Sequence, residues 1–217
     1  MTRVALIRHA KTRWNMEKKI QGREDLPLCT EGEAQALAWA RSLKLFSFDR
    51  IIASPMIRAQ QTADIIARSL GLPVEIEPGF HEQDFGNWEG QKLKHLRKEH
   101  PGEVEFQEAA GWGFCPPAGE SRRQVLQRAQ TALIRVVSGA DPAQHVLVVS
   151  HNSVMKCLIY QAMGLMFDPG QKKVMKPYHL HWMMVDTGNE IHTEPVHGKK
   201  IQVCQLNALD LEEGGTQ

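Results

Sequence analysis

The residues of this chain best suited to chemistry stand at the ends of three apolar runs. Val4 to Ile7 leads into Arg8-His9. The run through Ile51 and Ile52 leads into Ser54-Pro55 and on to Arg58, and Val146 to Val149 leads into Ser150-His151. In open α/β sheets ligands bind beyond the carboxyl ends of the strands, so two histidines and two arginines converge on the edge where a site is expected. A lone strand-end histidine or a solvated arginine would mean little, but two of each at three ends weigh against that ordinary reading.

The set suits a phosphoryl group. Guanidinium forks match phosphate oxygens bidentately, and helix N-termini add free amides and a positive dipole end. Arg58 would stand about one turn into a helix opened by Ser54-Pro55. A neutral imidazole attacks phosphorus well and leaves well when the phosphoenzyme is hydrolysed. Two histidines without a carboxylate cluster argue against two-metal chemistry. A proton donor is expected in the segment Phe80-His81-Glu82-Gln83-Asp84-Phe85-Gly86, where spacing alone leaves Glu82, Asp84 and Glu89 open.

The elements that must position these groups follow from pattern. Val4 to Ile7 reads as a strand buried on both faces, Asp49 to Ala53 as a second, Val74 to Glu77 as a short third and His145 to Ser150 as the clearest. Helices are expected after Thr30-Glu31-Gly32-Glu33 and Ser121-Arg122-Arg123-Gln124, both read as capping boxes, after Ser54-Pro55 as far as Gly71, and from about Ser153 to Met163. Residues 101 to 120, rich in proline and glycine, read as a surface loop. Short strands at 179 to 186 and 200 to 206, joined through Gly188-Asn189, are expected at the end. Strands alternating with helices imply an α/β fold with an open, mostly parallel sheet covered on both faces. One domain over 1–217 is expected, with 170–217 adding antiparallel edge strands.

Composition narrows the function classes. The chain has 217 residues, with 26 Lys and Arg against 25 Asp and Glu, a formal net charge of +1. That balance argues against a nucleic-acid or membrane-surface binder. The chain is 42% hydrophobic and 24% charged, as ordinary soluble domains are, and such a length buries a core without disulfides. No apolar run approaches the roughly 18 residues of a membrane span, and the start does not read as a signal peptide. Cys29, Cys115, Cys157 and Cys204 are scattered and read as reduced thiols, which makes a cytoplasmic location the expectation. A monomer and a homodimer both fit.

Several blocks carry a resemblance. Leu6-Ile7-Arg8-His9-Ala10-Lys11-Thr12 with Asn15 and Gln21-Gly22, then Leu26 to Ala36, then Ser54-Pro55-Met56-Ile57-Arg58-Ala59-Gln60-Gln61-Thr62-Ala63 are similar to the opening motifs of the histidine phosphatase superfamily, the phosphoglycerate-mutase-like group. Glu82 with Phe85-Gly86-Asn87-Trp88-Glu89-Gly90, Pro117-Ala118-Gly119-Glu120-Ser121 and Val148-Val149-Ser150-His151 resemble its later ones, in the family's order. The resemblance implies a three-layer α/β/α sandwich. It implies that His9 is the phosphorylated nucleophile and that Arg8, Arg58 and His151 hold the phosphoryl oxygens with Asn15 assisting. Gln21, Gly22 and Asn152 join the phosphate and substrate site, and Glu82 protonates the leaving oxygen and then activates water. No metal and no cofactor are expected, and the partner is a small phosphate monoester.

Three positions depart from the family's commonest form. Ala10 stands for Gly, which is tolerable only if φ there is negative. Lys11 replaces an acid, which would favour a more anionic substrate. Asn152 stands for the Gly that usually follows the last His. The segment Gln91 to Pro101 is short and resembles the phosphatase branch, with alpha-ribazole and broad-specificity phosphatases. Its basic residues read as a solvated helix face. A phosphoglycerate-mutase-type phosphotransferase is the alternative, and a non-catalytic phosphate-binding regulatory protein the second. His179, His181, His192 and His197 could suggest a metal, but no acid or Cys completes the set, and surface histidines are expected. Gly111-Trp112-Gly113 is no dinucleotide motif; Trp112 and Phe114 would wall the pocket or pack at an edge. Specificity is expected in 91–120 and after Pro169.

Overall fold

In the computed structural model, which describes residues 1–138, 141–186 and 200–212, the first strand, β1 (Thr2–Arg8), lies in the middle of a six-stranded sheet. β2 (Arg50–Ala53), β3 (Val74–Ile76) and β4 (His145–Ser150) complete the parallel part, and β5 (His179–Asp186) and β6 (Lys200–Asp210) extend it antiparallel, in the order β3-β2-β4-β1-β5-β6.

Side chains alternate across a strand, and the apolar runs supply both faces. Val4, Leu6, Ile52, Val146 and Val148 point to one layer, where α6 (Arg122–Val137) and α7 (Asn152–Ala162) bring Val125, Ala129, Leu133, Val154 and Leu158. Ala5, Ile7, Ile51, Ala53, Leu147 and Val149 point to the other, against Ala36, Trp39 and Leu43 of α2 (Thr30–Leu43) and Ala59, Ala63 and Ile66 of α3 (Ile57–Leu70). The result is the expected α/β/α sandwich with a mostly parallel sheet. Among the described residues no helix is long and apolar enough to cross a membrane, and all four cysteines are unbridged.

Local chemistry explains where expectation held and where it failed. α6 opens with the expected capping box: Ser121 Oγ accepts from the Gln124 amide at 3.3 Å, and Gln124 Oε1 accepts from the Ser121 amide at 2.8 Å. At α2 no box forms, because the helix starts one residue early, with Cys29 as its cap and Thr30 already helical. The Lys11 carbonyl accepts the Cys29 amide at 3.2 Å and lies where a side chain on Gly32 would stand, 1.9 Å from an added Cβ. α3, by contrast, starts late, with Met56 as cap, so Ser54-Pro55 does not open it. Residues 101–120 are not one loop: Glu103–Ala109 forms α5, beside α4 (Leu93–Glu99), with a 3-10 turn at Gly111–Gly113. Pro101-Gly102 and Gly111 bound a helix-forming stretch there rather than dissolving it. Trp88, Leu96, Val104 and Phe114 give this excursion its own small core. The proposed joint at Gly188-Asn189 lies outside the described residues. A short helix, α1 (Arg13–Met16), follows β1.

Candidate active site

Parallel register brings the three strand ends level. Arg8 pairs with Ser150, Ala53 pairs with Val149, the His9 amide donates to Ser150 O at 2.9 Å, and the Ser54 amide donates to Val149 O at 3.0 Å. Over this edge lies a cavity of about 180 Å3 lined by Arg8, His9, Asn15, Gln21, Gly22 and Arg58, together with Glu82 and Asn152. Every residue expected from sequence to form the site except His151 lines it, and His151 packs against it, its ring centroid 5.2 Å from that of His9.

The tautomer of His9 follows from its hydrogen bond. Nδ1 lies 2.7 Å from the Ala10 carbonyl oxygen, which can only accept, so Nδ1 carries the proton and Nε2 keeps its lone pair. Burial first, and then the charges of Arg8 and Arg58, hold the His9 pKa well below the usual 6.5, so the ring is neutral. Ala10 itself is fully buried and is not among the residues with positive φ; its amide donates to Thr62 Oγ1 at 3.0 Å. A methyl group therefore does no harm where Gly is commoner.

His151 is also buried and held neutral by burial, by Arg58 and by His9. Its Nε2 is 2.7 Å from Ser54 Oγ, which in turn accepts the Met56 amide at 3.3 Å. The Ser54 hydroxyl donating to Nε2 satisfies all three groups and leaves the proton on Nδ1. Ser54 was expected to cap a helix; it orients a histidine instead.

Buried polar atoms normally have partners. Among the described residues those without one are Arg8 Nε, Gln21 Nε2 and Oε1, Arg58 Nε and His151 Nδ1 at this site, and otherwise only Trp39 Nε1 and His181 Nε2. Such a concentration of unsatisfied polar atoms, all donors except Gln21 Oε1, marks the seat of a polar ligand. Arg58 is nonetheless firmly placed, with Nη1 donating to Glu24 O and Nη2 to Gly22 O, both at 2.8 Å. Asn15 spends its Oδ1 on the Thr12 amide at 3.0 Å in the cap of α1, which leaves its amide hydrogens for a ligand.

Glu82 stands apart from the other two acids in its segment. It is 7% exposed, accepts the Gln83 amide at 2.8 Å and faces the cavity. Asp84 Oδ1 instead accepts the Gly86 amide, and Glu89 Oε1 accepts the amides of Arg23 and Phe85, so both fasten loops. The carbonyls around Glu82 are clamped by Arg128, which the sequence reading missed. Its Nη1 donates to Gly79 O and His81 O at 2.8 and 2.7 Å, and its Nη2 to Glu82 O at 3.1 Å. Arg128 stands on a polar stripe of α6 with Gln124, Thr131 and Arg135, and nothing in the local sequence sets it apart from them.

Two sequence expectations change here. Lys11 does not face the phosphate cavity: its Nζ meets Glu212 Oε1 at 2.8 Å, beside the Tyr178 ring. His179 and His181 are not surface histidines but buried ones, His179 bonded to Pro177 O and paired with Asp210, and His181 bonded to the Asn207 amide. His192 and His197 lie outside the described residues, and among those described no three His, Cys, Asp or Glu are grouped to hold a metal. Phe114 lines a neighbouring cavity, whereas Trp112 packs in the core. Lys94, His95, Arg97 and Lys98 are exposed, as a solvated helix face should be.

The profile of the histidine phosphatase superfamily (branch 1) matches residues 4–193. The chain is 35% identical over 164 residues to a Bacillus subtilis protein named uncharacterized phosphatase PhoE, covering 76% of this chain and 79% of that one. It is 36% identical over 166 residues to the probable phosphoglycerate mutase GpmB of Cronobacter sakazakii, covering 76% of each. Among solved structures, Bacillus stearothermophilus YhfR superposes with a TM-score of 0.81 at 25% identity, over 98% of this chain and all of that one. A putative alpha-ribazole-5'-P phosphatase of Escherichia coli superposes at 0.75 with 27% identity, over 95% and 96%. By sequence profile, relatives and fold alike, the chain belongs to the histidine phosphatase superfamily and is an enzyme of it.

Proposed function

We propose that this enzyme hydrolyses small phosphomonoesters through a phosphohistidine on His9, without a metal. The observation that carries the reading is the 2.7 Å bond from His9 Nδ1 to Ala10 O, which leaves a neutral Nε2 in a cavity that also holds two guanidinium groups and a carboxyl group. Arg8, Arg58, Asn15 and the amides opening α7 neutralise and position the phosphoryl oxygens. His9 Nε2 attacks phosphorus as the ester P–O bond breaks, and protonated Glu82 gives its proton to the departing oxygen. Glu82, now a carboxylate, takes a proton from water as that water's oxygen bonds to phosphorus. The N–P bond then breaks, its electron pair returns to Nε2, and orthophosphate leaves.

Hydrolysis rather than transfer is favoured by the 91–100 segment, since none of its basic residues lines the catalytic cavity to hold a phosphoglycerate there. The test is phosphate release in EDTA from a panel of monoesters, wild type beside His9→Ala. Turnover that survives chelation and disappears in the variant supports the reading. Turnover that requires an added divalent metal contradicts it.

A further inference from the structure

A second cavity, of about 220 Å3, adjoins the catalytic one, and Arg8 and Asn152 line both. Its wall is basic. Lys156 enters it from α7, and Lys173 and Lys176 from the segment before β5. Among the described residues none of these three ammonium groups takes part in an ion pair or side-chain hydrogen bond with an acid. Two exposed loop lysines would by themselves mean nothing. Lys156 is different, because it is largely shielded from water: burial, then the charges of Lys173 and Arg122, push its pKa down, with Glu82 acting the other way.

His181 supplies an independent observation. It is fully buried on β5 and lines the same cavity. Its Nδ1 accepts the Asn207 amide at 3.2 Å, which places the ring proton on Nε2, and that N–H has no partner in the protein. Burial keeps the ring neutral, with a pKa of about 4. Among the described residues no Asp or Glu lines this cavity, and its wall of ammonium groups with one unsatisfied buried N–H is complemented by an anion with acceptor oxygens.

We propose, on the reading of His9 as phosphoryl acceptor, that this cavity receives a second anionic group of the same substrate, a carboxylate or a phosphoryl group. The substrates are then phosphomonoesters whose small carbon skeleton spans Arg8 and Asn152 to place a second anion at Lys156 and His181. This changes what the departure at Lys11 suggested: the preference for anionic substrates comes from the far side of Arg8.

The test is calorimetric binding to the His9→Ala protein, which does not depend on turnover. Two matched pairs serve as probes: glycerol 3-phosphate against 3-phosphoglycerate, and fructose 6-phosphate against fructose 1,6-bisphosphate. The doubly anionic member of at least one pair binds about tenfold more tightly, as expected for charge-assisted hydrogen bonds. The pair that shows it tells carboxylate from phosphoryl. Adding Lys156→Gln brings the ratio close to one, while Lys156→Arg, which keeps the charge, keeps the ratio. Equal binding within both pairs, no binding of any member, or a ratio untouched by Lys156→Gln overturns the proposal. A protein that shows the ratio but whose wild type releases no phosphate retains this subsite and loses the hydrolytic reading. One that hydrolyses p-nitrophenyl phosphate but shows no ratio does the reverse.

Discussion

Arg128 and Glu120 meet in a two-point ion pair, Nε to Oε1 at 2.7 Å and Nη2 to Oε2 at 2.8 Å, directly behind the backbone that carries Glu82. Burial alone would raise the Glu120 carboxyl, but the hydrogen bonds and charge of Arg128 outweigh it and hold the pKa below the ordinary value. The pair fixes the guanidinium, and the guanidinium fixes three carbonyls of the loop. Arg128 thus positions the loop that carries Glu82, the proton donor proposed above.

Loosening that loop should damage proton donation more than nucleophilic attack. Arg128→Met is expected to lower kcat by about 10²-fold on alkyl phosphates, the scale of a misplaced or lost acid. p-Nitrophenyl phosphate, whose leaving group needs little protonation, should lose far less. Steady-state kinetics on both substrates checks this; an equal loss on the two would reduce Arg128 to a general structural role.

The loop under Arg58 depends on a glycine. Gly22 has φ +53°, and a Cβ there would stand 1.9 Å from Glu89 Oε1, while its carbonyl holds Arg58. Gly22→Ala should therefore cost stability by about 1–3 kcal/mol and reduce kcat/KM more than tenfold, since both the strained φ and the clash move an Arg58 anchor. Urea denaturation beside initial rates measures both, and an unimpaired variant would show that the anchor is dispensable.

The buried neutral histidines make stability depend on pH with a definite sign. His9 and His151 have pKa values well below the ordinary 6.5, and His181 about 4. The unfolded chain takes up these protons below pH 6.5 while the folded protein does not. Stability is therefore full above that pH and falls as pH drops, by about 1.4 kcal/mol per pH unit for each histidine. Denaturant midpoints at pH 7.5, 6.0 and 5.0 should decline in step. Activity should show no acid limb near 6.5 from His9. A flat stability profile, or a rate that titrates with an ordinary histidine, contradicts the burial argument.

Lys11 makes the opposite kind of prediction. Its pair with Glu212 is partly exposed, with side chains 31% and 45% accessible, so it is worth only about 0–1 kcal/mol. Lys11→Ala should leave KM for mono- and bisphosphates within about twofold, the scatter expected of a surface change. A KM that rises for the bisphosphate alone would return Lys11 to the substrate site.

Much of this was legible in the sequence, and the reasons are physical. Strand ends announce themselves where a β-branched run stops, so Arg8-His9 and Ser150-His151 could be placed on one edge before any coordinates. Parallel pairing then leaves little freedom in where their side chains go. Glu82 was harder, because three acids within eight positions share a loop, and only the bonds that Asp84 and Glu89 make to backbone amides separate them. Ser54 misled because a Ser-Pro pair is a good helix start, and nothing local reveals that His151, far along the chain, takes its hydroxyl. α5 was hidden by the glycines and prolines around it. The second cavity was out of reach: Lys156 reads as an ordinary helix lysine until α7 is docked beside the segment before β5.

The central claim is the covalent step at His9. Rapid mixing with p-nitrophenyl phosphate, an alkaline quench and mass spectrometry of the peptide that contains His9 tests it most directly. The expected result is an acid-labile, base-stable phosphoryl group on His9, absent in His9→Ala and accumulating in a Glu82→Gln protein slowed in dephosphorylation. Full turnover in wild type and variant with no phosphoryl group on any histidine would contradict the account.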